Sequence, residues 1–383
     1  MQDNVQHFID QIQHASQTGQ ALRFRGGGTK DFYGQSLQGE VLDTTRYSGI
    51  LSYEPSELVI TVRAGTSLAE VEAALAQKGQ CLPFEPPHFG AGATVGGMVA
   101  AGLAGPARAS VGGVRDFVLG VRLLNGKGEH LTFGGQVMKN VAGYDVSRLM
   151  ASSMGQLGLI TEVSLKVLPV FPGEATLACA GVSQAQALTL LNRWGGQPLP
   201  LNASAWVRDT TAEPVQDYLF VRLRGAVAAV EAAVTKMSAE VQALGAHVTR
   251  MDNAEAAGDW RASGEQALDF FNAPSDQDCL WRLSVPQTAP VLDVQVNGQT
   301  CAQYIEWHGA QRWLWAPASA AGTVREAAVK AGGHATLFRA SAAHGEADKQ
   351  VGVFTPLNAV QQRIQNELKK QFDPAGVFNP GRL

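Results

Sequence analysis

The sequence has few cysteines, no cluster of positive charge and no long run of strongly apolar residues. Its four cysteines, Cys81, Cys179, Cys279 and Cys301, form no CxxC pair and no short even spacing. This pattern excludes a disulfide framework or a cysteine-based metal site, and it indicates reduced core residues. A net charge of −4 leaves no basic surface for nucleic acid, so no nucleic-acid partner is expected.

Targeting and membrane-spanning segments are also missing from the sequence. The first ten residues show no basic segment followed by an apolar one, which argues against secretion. The one long uncharged stretch, residues 89–107, consists mostly of Gly and Ala and contains Pro106, so it offers too little apolar surface for a spanning helix. We therefore predict a cytoplasmic protein.

Glycine, in contrast, is abundant and is concentrated in the first part of the chain. Of the 42 glycines, 25 lie in residues 1–168 and 17 in the longer remainder. No period of three accompanies them, and apolar residues make up 45% of the chain, which excludes collagen and a disordered linker. Glycine in a folded chain marks backbone that turns with positive φ or is closely approached. The first part is therefore predicted to hold a ligand against its backbone.

Hydrophobic spacing predicts a mixed helix and strand fold in two domains. Val5, Phe8, Ile9 and Ile12 recur at helical spacing, so an amphipathic helix opens the chain. Beyond residue 172, predicted strands alternate with predicted helices, which is typical of an α+β or split βαβ layer. The strands cover residues 176–182, 203–208 and 218–224, and the helices residues 183–194 and 226–244.

A first glycine-rich loop, Arg25-Gly26-Gly27-Gly28-Thr29-Lys30, follows a predicted strand. Successive glycine amides can form a concave nest for anionic oxygens, and the absence of Cβ atoms lets a pyrophosphate approach the backbone. The hydroxyl of Thr29 and the charge of Lys30 can add to this binding. The alternative is an ordinary mobile glycine loop.

A second segment, Thr94-Val95-Gly96-Gly97 and the residues up to Gly102, is predicted to open a helix whose N-terminal amides face a phosphate. The alternative is a tightly packed helix of small residues. Neither loop matches the dinucleotide pattern GxGxxG, whose third glycine would fall on Asp31, and no Walker pattern surrounds Gly126 and Lys127.

A third segment comprises two glycine-containing turns. The first, at Gly143-Tyr144, feeds a predicted helix, and the second, at Gly155 to Gly158, feeds a strand through Ile160. Such turns can line an adenine or a ribose through main-chain hydrogen bonds. Two ordinary connecting turns are the alternative.

The ordered combination of these segments, with Gly113-Val-Arg-Asp-Phe-Val-Leu-Gly120 between the second and third, resembles a known FAD-binding domain. It is that of the vanillyl-alcohol oxidase and p-cresol methylhydroxylase (PCMH) family. The tail Phe372-Asp-Pro-Ala-Gly-Val-Phe-Asn379-Pro-Gly381 is similar to the family's C-terminal signature, which returns to the flavin. Within the family, residues 25–34 and 139–148 and the short chain resemble the E subunits of bacterial glycolate oxidases.

The resemblance implies an α+β fold with noncovalently bound FAD. A two-subdomain PCMH-type FAD-binding domain is expected at residues 1–170, an α+β cap or substrate domain at 171–345, and a C-terminal segment returning to the FAD domain at 346–383. The FAD-binding residues it implies are Arg25, Gly26, Gly27, Gly28, Thr29, Lys30, Thr94, Val95, Gly96, Gly97, Gly143, Tyr144, Gly155, Gly158, Ile160 and Asn379.

The resemblance also implies partners and a reaction. The partners are a larger flavin subunit and an iron–sulfur subunit, and the complex oxidises glycolate to glyoxylate while electrons pass through flavin to the iron–sulfur partner. The substrate class is a small 2-hydroxy acid, and membrane association is at most peripheral, through the complex. Two alternatives stay open: a self-sufficient FAD oxidase or dehydrogenase of another 2-hydroxy acid or alcohol, and a non-catalytic flavoprotein scaffold subunit.

Two departures from the family pattern bear on catalysis. Many relatives carry in the first loop a His that bonds covalently to flavin, whereas this loop has Thr29, and His88 in the second loop is a possible substitute. Relatives that oxidise hydroxy acids carry paired His motifs for a metal and the substrate carboxylate, whereas residues 344–356 here contain a single His. No metal is therefore predicted.

Candidates for chemistry in the second domain are few. An arginine would bind a substrate carboxylate and a histidine would accept a proton. Each candidate also has a structural alternative, such as capping a helix, hydrogen bonding within a turn or pairing with a surface acid. The predicted catalytic residues are Arg261, His334 and Arg339, with His308 as a further candidate.

Overall fold

The structure, a computed structural model, describes residues 2–135, 145–211 and 213–383. The elements of the first part of the chain alternate between short strands and short helices. In chain order they are α1 (Gln2–Thr18), β1 (Leu22–Arg25), β2 (Glu40–Asp43), β3 (Ile50–Glu54), β4 (Val59–Arg63), α2 (Leu68–Ala76), β5 (Gln80–Cys81), α3 (Val95–Ala101), α4 (Arg108–Val111), α5 (Val114–Phe117), β6 (Val118–Leu124), β7 (His130–Gly134), α6 (Val146–Leu149), β8 (Leu159–Lys166) and β9 (Leu168–Pro169).

The second part of the chain has longer strands and helices. They are β10 (Gly173–Ala180), α7 (Gln184–Gly195), β11 (Leu201–Asp209), β12 (Gln216–Gly225), α8 (Val227–Gln242), β13 (His247–Arg250), α9 (Asn253–Gly264), β14 (Asp278–Ser284), β15 (Gln295–Val296), β16 (Gln299–Thr300), β17 (Gln303–Glu306), β18 (Gln311–Pro317), α10 (Ala321–Lys330), β19 (His334–Arg339) and α11 (Ala359–Phe372).

The described residues form two compact units. Unit 1 consists of residues up to 104, residues 112–170 and residues 356–383, and unit 2 consists of residues 105–111 and 171–355. In unit 1, an antiparallel sheet has the strand order β3-β4-β8-β6-β7, and β1 pairs with β2 in parallel. The apolar side of α1 is buried on this unit through Phe8 and Ile12, so the predicted opening helix is confirmed.

The C-terminal tail of the chain completes unit 1 by pairing with β1. The amide of Leu22 donates to the carbonyl of Val377 at 2.8 Å, and the amide of Asn379 donates to the carbonyl of Leu22 at 2.8 Å. Phe378 is fully buried and packs edge-on against Phe24, with ring centroids 4.7 Å apart. Residues from the two ends of the chain therefore share one core.

Unit 2 is built on one antiparallel sheet with the strand order β13-β10-β12-β11-β17-β18-β14-β19. The first four of its strands, with α7 and α8, follow the split βαβ order, so this prediction is confirmed. Strands β14, β17, β18 and β19 repeat the same spatial order, and β11 joins the halves by pairing with β17. Helices α7 and α8 pack on one cluster of buried apolar residues and α10 packs on another.

The α+β fold class predicted from the sequence is thus the observed one. None of the helices that the structure describes is long and apolar enough to cross a membrane.

Candidate functional site

Unit 1 contains an open pocket at the meeting point of the first loop, α3, the turn before β8 and the C-terminal tail. Most of its wall is backbone and small side chains, and the larger apolar residues are Phe24, Leu37, Met154, Leu159 and Ile160. The predicted FAD-binding residues that line it are Arg25, Gly26, Gly27, Gly28, Thr29, Lys30, Thr94, Gly96, Gly97, Gly155, Gly158, Ile160 and Asn379.

The remaining predicted FAD-binding residues do not appear in this wall. Val95 is fully buried beneath the pocket as the first residue of α3. Gly143 and Tyr144 lie outside the residues that the structure describes.

The first loop lies directly against the segment that precedes α3. A Cβ atom added to Gly26 would overlap the hydroxyl of Thr94, and one added to Gly27 would overlap the carbonyl of Gly92. The interpretation of these two glycines therefore needs a correction, because protein backbone, and not only a ligand, occupies the space that a side chain would need. Close packing of the two loops forms the base of the pocket.

The amides of the first loop are available for a ligand. Among the described residues, none accepts a hydrogen bond from the amides of Gly26, Gly27, Gly28 or Thr29. Consecutive amides that lack an internal acceptor and face a pocket can bind anionic oxygens. The ammonium group of Lys30 is directed to the carbonyl of His88 at 3.1 Å and lies 5.8 Å from the ring centroid of Phe89. Lys30 therefore also links the first loop to residues 88–89.

The amides at the start of α3 are not available for a phosphate, contrary to the prediction. The amide of Val95 donates to the carbonyl of Thr66 at 2.9 Å, and that of Gly96 donates to the carbonyl of Ala64 at 2.8 Å. The amide of Gly97 donates to the hydroxyl of Thr94, which caps the helix, at 3.3 Å. The helix N-terminus is satisfied internally, so this segment contributes a close backbone surface and not an anion site.

Asn379 fixes the tail to two other walls of the pocket. Its side-chain oxygen accepts from the amide of Phe24 at 2.8 Å, and its side-chain nitrogen donates to the carbonyl of Met154 at 2.6 Å. Gly155 turns with φ of +75° beside this amide, where a Cβ would press on the Asn379 side chain. Since both polar groups of the Asn379 amide are occupied, the residue positions β1 and the turn at residues 154–155.

Arg382 is a pocket residue that the sequence analysis missed. Its guanidinium donates to the carbonyl of Asp31 at 2.9 Å and also to the carbonyls of Tyr33 and Gln35. These bonds fasten the end of the first loop to the last residues of the chain. The available signal was the position of Arg382 directly after Gly381 in the C-terminal signature. The sequence does not indicate that the Arg382 guanidinium binds carbonyls some 350 positions earlier.

The pocket has the properties that FAD requires. The unpaired amides at Gly26 to Thr29 suit a pyrophosphate, and the wall at Gly97 presents little side chain to a flat ring system. The space that a side chain of Gly96 would need is filled by Ala64. His88, the proposed substitute for covalent attachment, does not line the pocket; its Nε2 lies 3.1 Å from a carboxylate oxygen of Glu72.

The three predicted catalytic residues lie on different parts of unit 2. Arg261 is exposed near the end of α9. His334 and Arg339 stand at opposite ends of β19, roughly 16 Å apart at the usual rise of a strand. Arg339 donates to the side-chain oxygen of Gln266 at 2.9 Å, and burial lowers its pKa. Their catalytic roles stay predictions.

His308 is buried in a strained turn between β17 and β18. Trp307, His308 and Gly309 all have positive φ, at 53°, 57° and 99°. The two imidazole nitrogens lie 2.9 Å from the hydroxyls of Ser204 and Ser110, and burial lowers the pKa of His308 to about 4. This histidine is thus neutral near pH 7. Among the described residues, no group of three or more His, Cys, Asp or Glu is placed to hold a metal.

Comparisons with known proteins agree with this geometry. A family profile described as "FAD binding domain" matches residues 2–134. The chain is 42% identical, over its whole length and 97% of the relative, to the glycolate oxidase subunit GlcE of Escherichia coli (strain K12). It is 32% identical over 38% of its length, and 31% of the relative, to the glycolate oxidase subunit GlcD of Bacillus subtilis (strain 168).

Solved structures with this fold are more distant in sequence. An alkyldihydroxyacetonephosphate synthase superimposes with a TM-score of 0.70 over 98% of this chain and 75% of the other, at 16% identity. This likeness establishes the fold.

Proposed function

The chain belongs to the family of the glycolate oxidase subunit GlcE, with FAD as its cofactor, and from this premise we propose that it is the FAD-binding subunit of a glycolate oxidase complex. The observation that carries the proposal is the 42% identity to that subunit along the entire chain. The pocket of unit 1 supports it, because unpaired amides and a small-residue wall are what a bound dinucleotide needs.

Different residues of unit 1 would bind different parts of the cofactor. The amides of Gly26, Gly27, Gly28 and Thr29 would receive the pyrophosphate, and the wall at Gly96 and Gly97 would admit the rest of the dinucleotide. Asn379 and Arg382 keep the loops in place through main-chain bonds. When bound, FAD accepts a hydride equivalent from the α-carbon of a 2-hydroxy acid.

The complex would contain a larger flavin subunit and an iron–sulfur subunit that receives electrons. The substrate would be glycolate, oxidised to glyoxylate, and any association with the inner face of a membrane would be peripheral and depend on these partners. The placement of His334 and Arg339 at opposite ends of β19 supports dependence on a partner, because these two do not combine an arginine and a proton acceptor at one point. Individual catalytic roles for the three stay predictions.

A spectrum of the purified chain tests the proposal. We expect a visible flavin band that anaerobic glycolate or D-lactate leaves unchanged in the isolated chain, and that glycolate bleaches once the partner subunits are added. Bleaching without partners would instead support the self-sufficient oxidase or dehydrogenase. A chain that binds no flavin at any FAD concentration would support the scaffold.

Acid precipitation tests the mode of attachment. Since Thr29 stands in the first loop and His88 faces Glu72, we expect noncovalent FAD and a colourless pellet with the flavin in the supernatant. A yellow pellet would contradict noncovalent binding.

A further inference from the structure

Unit 2 contains a cavity of about 460 Å³. It lies between one face of the large sheet, at strands β10, β11, β12 and β17, and a cover made by α9 and residues 268–270. Its volume is in the range typical of small-molecule sites. Every residue that lines it belongs to unit 2.

Aromatic rings form much of the wall and are held in place by their neighbours. Tyr218 and Phe220 are stacked with centroids 5.6 Å apart, and Phe270 packs on Tyr304 at 5.5 Å. Trp260 is fixed by a hydrogen bond from its indole nitrogen to the hydroxyl of Thr176 at 3.0 Å. A preformed aromatic wall favours a ligand with an apolar body, and the negative ring faces favour a cation.

The charges around the cavity have one dominant sign. Asp209, Asp259 and Asp269 line it, and Arg208 is its one lining residue of positive charge among the described residues. The guanidinium of Arg208 is held in a two-bond pair with Asp217, at 2.7 and 3.1 Å. Among the lining side chains that the structure describes, negative charges therefore outnumber positive ones.

A second guanidinium lies behind the wall. Arg222 is fully buried, lies 5.0 Å from the ring centroid of Trp260 and donates to the side-chain oxygen of Asn202 at 2.7 Å. Its charge weakens the attraction of Trp260 for a cation, so the rings of Tyr218, Phe220 and Phe270 are the better contacts.

Polar groups on the floor of the cavity satisfy one another. The hydroxyl of Ser263 lies 2.9 Å from a carboxylate oxygen of Glu306 and 3.0 Å from the hydroxyl of Tyr304. Glu306 also accepts from Gln311 and Trp313, at 2.8 and 2.7 Å. The floor therefore does not require a polar group from a ligand, and the charged part of a ligand would stay near the mouth.

We propose that this cavity binds a small organic cation, with an apolar or aromatic body among the rings and an ammonium or pyridinium group beside Asp259 and Asp269. The same rings and carboxylates disfavour a carboxylate such as that of a 2-hydroxy acid. The proposal does not rest on the proposed oxidation, and its test does not depend on flavin.

Isothermal titration of the full chain with three probes of matched shape tests the charge preference. The probes are (4-phenylbutyl)trimethylammonium, its neutral carbon isostere and 4-phenylbutyrate. We expect saturable binding of the cation, at least about tenfold tighter than the neutral probe, and no binding of the anion. Equal or tighter binding of the anion, or no saturable binding of the cation up to about 1 mM, would overturn the proposal.

A charge-neutralised variant locates the site. Asp259 and Asp269 are exposed, so Asp259→Asn with Asp269→Asn should leave the circular dichroism and melting temperature unchanged. We expect it to bind the cation about tenfold more weakly and the neutral probe as before. Glu326→Gln, an exposed change on α10, is the control and should change neither affinity. Unchanged cation affinity in the double variant would place binding elsewhere and overturn the proposal.

Discussion

The two units build their concave sites from different materials. In unit 1 the pocket is backbone: glycines, amides without internal acceptors, and a tail held by Asn379 and Arg382. In unit 2 the cavity is side chain: aromatic rings above a sheet with carboxylates at the mouth. A site made of backbone can be detected in the amino-acid composition, because it requires many glycines. A site made of ordinary core residues does not change the composition and cannot be detected in this way.

The largest effect is expected where two stretches of backbone touch. In Gly27→Val the new side chain would overlap the carbonyl of Gly92, so the loops must separate. We expect a loss of about 4 kcal/mol or more in the free energy of unfolding, together with loss of bound flavin. Thermal melting and flavin content measure the two effects.

A matched control is available in unit 2. Gly195→Val changes a glycine at the end of α7 whose Cβ would meet nothing within 4 Å, so melting temperature and flavin content should change little. If Gly27→Val melted like this control, the close contact between the two loops would be disproved.

The next effect concerns the clamp that Arg382 forms with the carbonyls at residues 31, 33 and 35. Arg382→Met keeps much of the side-chain length but removes the donors to the carbonyls of Asp31, Tyr33 and Gln35. Because buried acceptors without donors are costly, we expect a loss of about 3 kcal/mol and weaker FAD binding. Chemical denaturation and FAD titration provide the measurement. Arg363→Met, on the exposed side of α11, should show neither change, and equal behaviour of the two variants would refute the clamp.

A pH-dependent effect of similar or smaller size is expected in unit 2. His308 has a folded-state pKa of about 4 because it is buried, below its value near 6.5 in an unfolded chain. The unfolded chain therefore takes up the proton first, and stability is lost as the pH falls from about 6.5 to 4, by up to about 3 kcal/mol. His308→Asn, which keeps a residue tolerant of positive φ, should lack this loss.

The comparison with His308→Asn is necessary because Glu306 changes the free energy of unfolding with pH in the opposite direction to His308. Burial raises the pKa of Glu306, so its contribution to stability falls as the pH rises. Glu306 is present in both proteins and cancels in their difference. A wild-type minus variant difference that stayed constant between pH 7 and pH 4 would contradict the burial of a neutral imidazole.

The sequence predicted most of unit 1 because its signals are local. The spacing of Val5, Phe8, Ile9 and Ile12 is enough for α1, and the glycine run after β1 marks the first loop. The roles of α3 and Arg382 escaped prediction because they depend on distant carbonyls, such as those of Ala64, Thr66 and Asp31. Tertiary partners decide whether an amide or a guanidinium is available, and spacing does not record them.

In unit 2 the sequence predicted strands, helices and isolated candidate residues, but not the cavity. The candidates were single Arg and His residues, which lie on α9 and β19. Where these elements lie in unit 2 depends on the strand order of the whole sheet, which the sequence did not predict. The cavity residues Tyr304 and Phe270 carry no signal of a site, because aromatic residues are usually buried in the core. Only the assembled sheet shows that they surround a space.

An FAD titration of Gly97→Ala beside Gly322→Ala tests whether unit 1 holds FAD against its backbone. Both glycines are helical; a Cβ at Gly97 would meet only the Thr94 hydroxyl, at 3.2 Å, and one at Gly322 would meet nothing within 4 Å. Gly97 lines the pocket, whereas Gly322 lies on α10 in unit 2. The Thr94 hydroxyl must shift by a few tenths of an ångström in Gly97→Ala, so the melting temperatures of both variants are measured beside their FAD affinities.

We expect Gly97→Ala to bind FAD at least about tenfold more weakly than the wild type, a cost of ~1.4 kcal/mol, and Gly322→Ala to bind it unchanged. Equal FAD affinity in all three proteins would contradict the claim that the flavin lies against Gly97 in the pocket of unit 1.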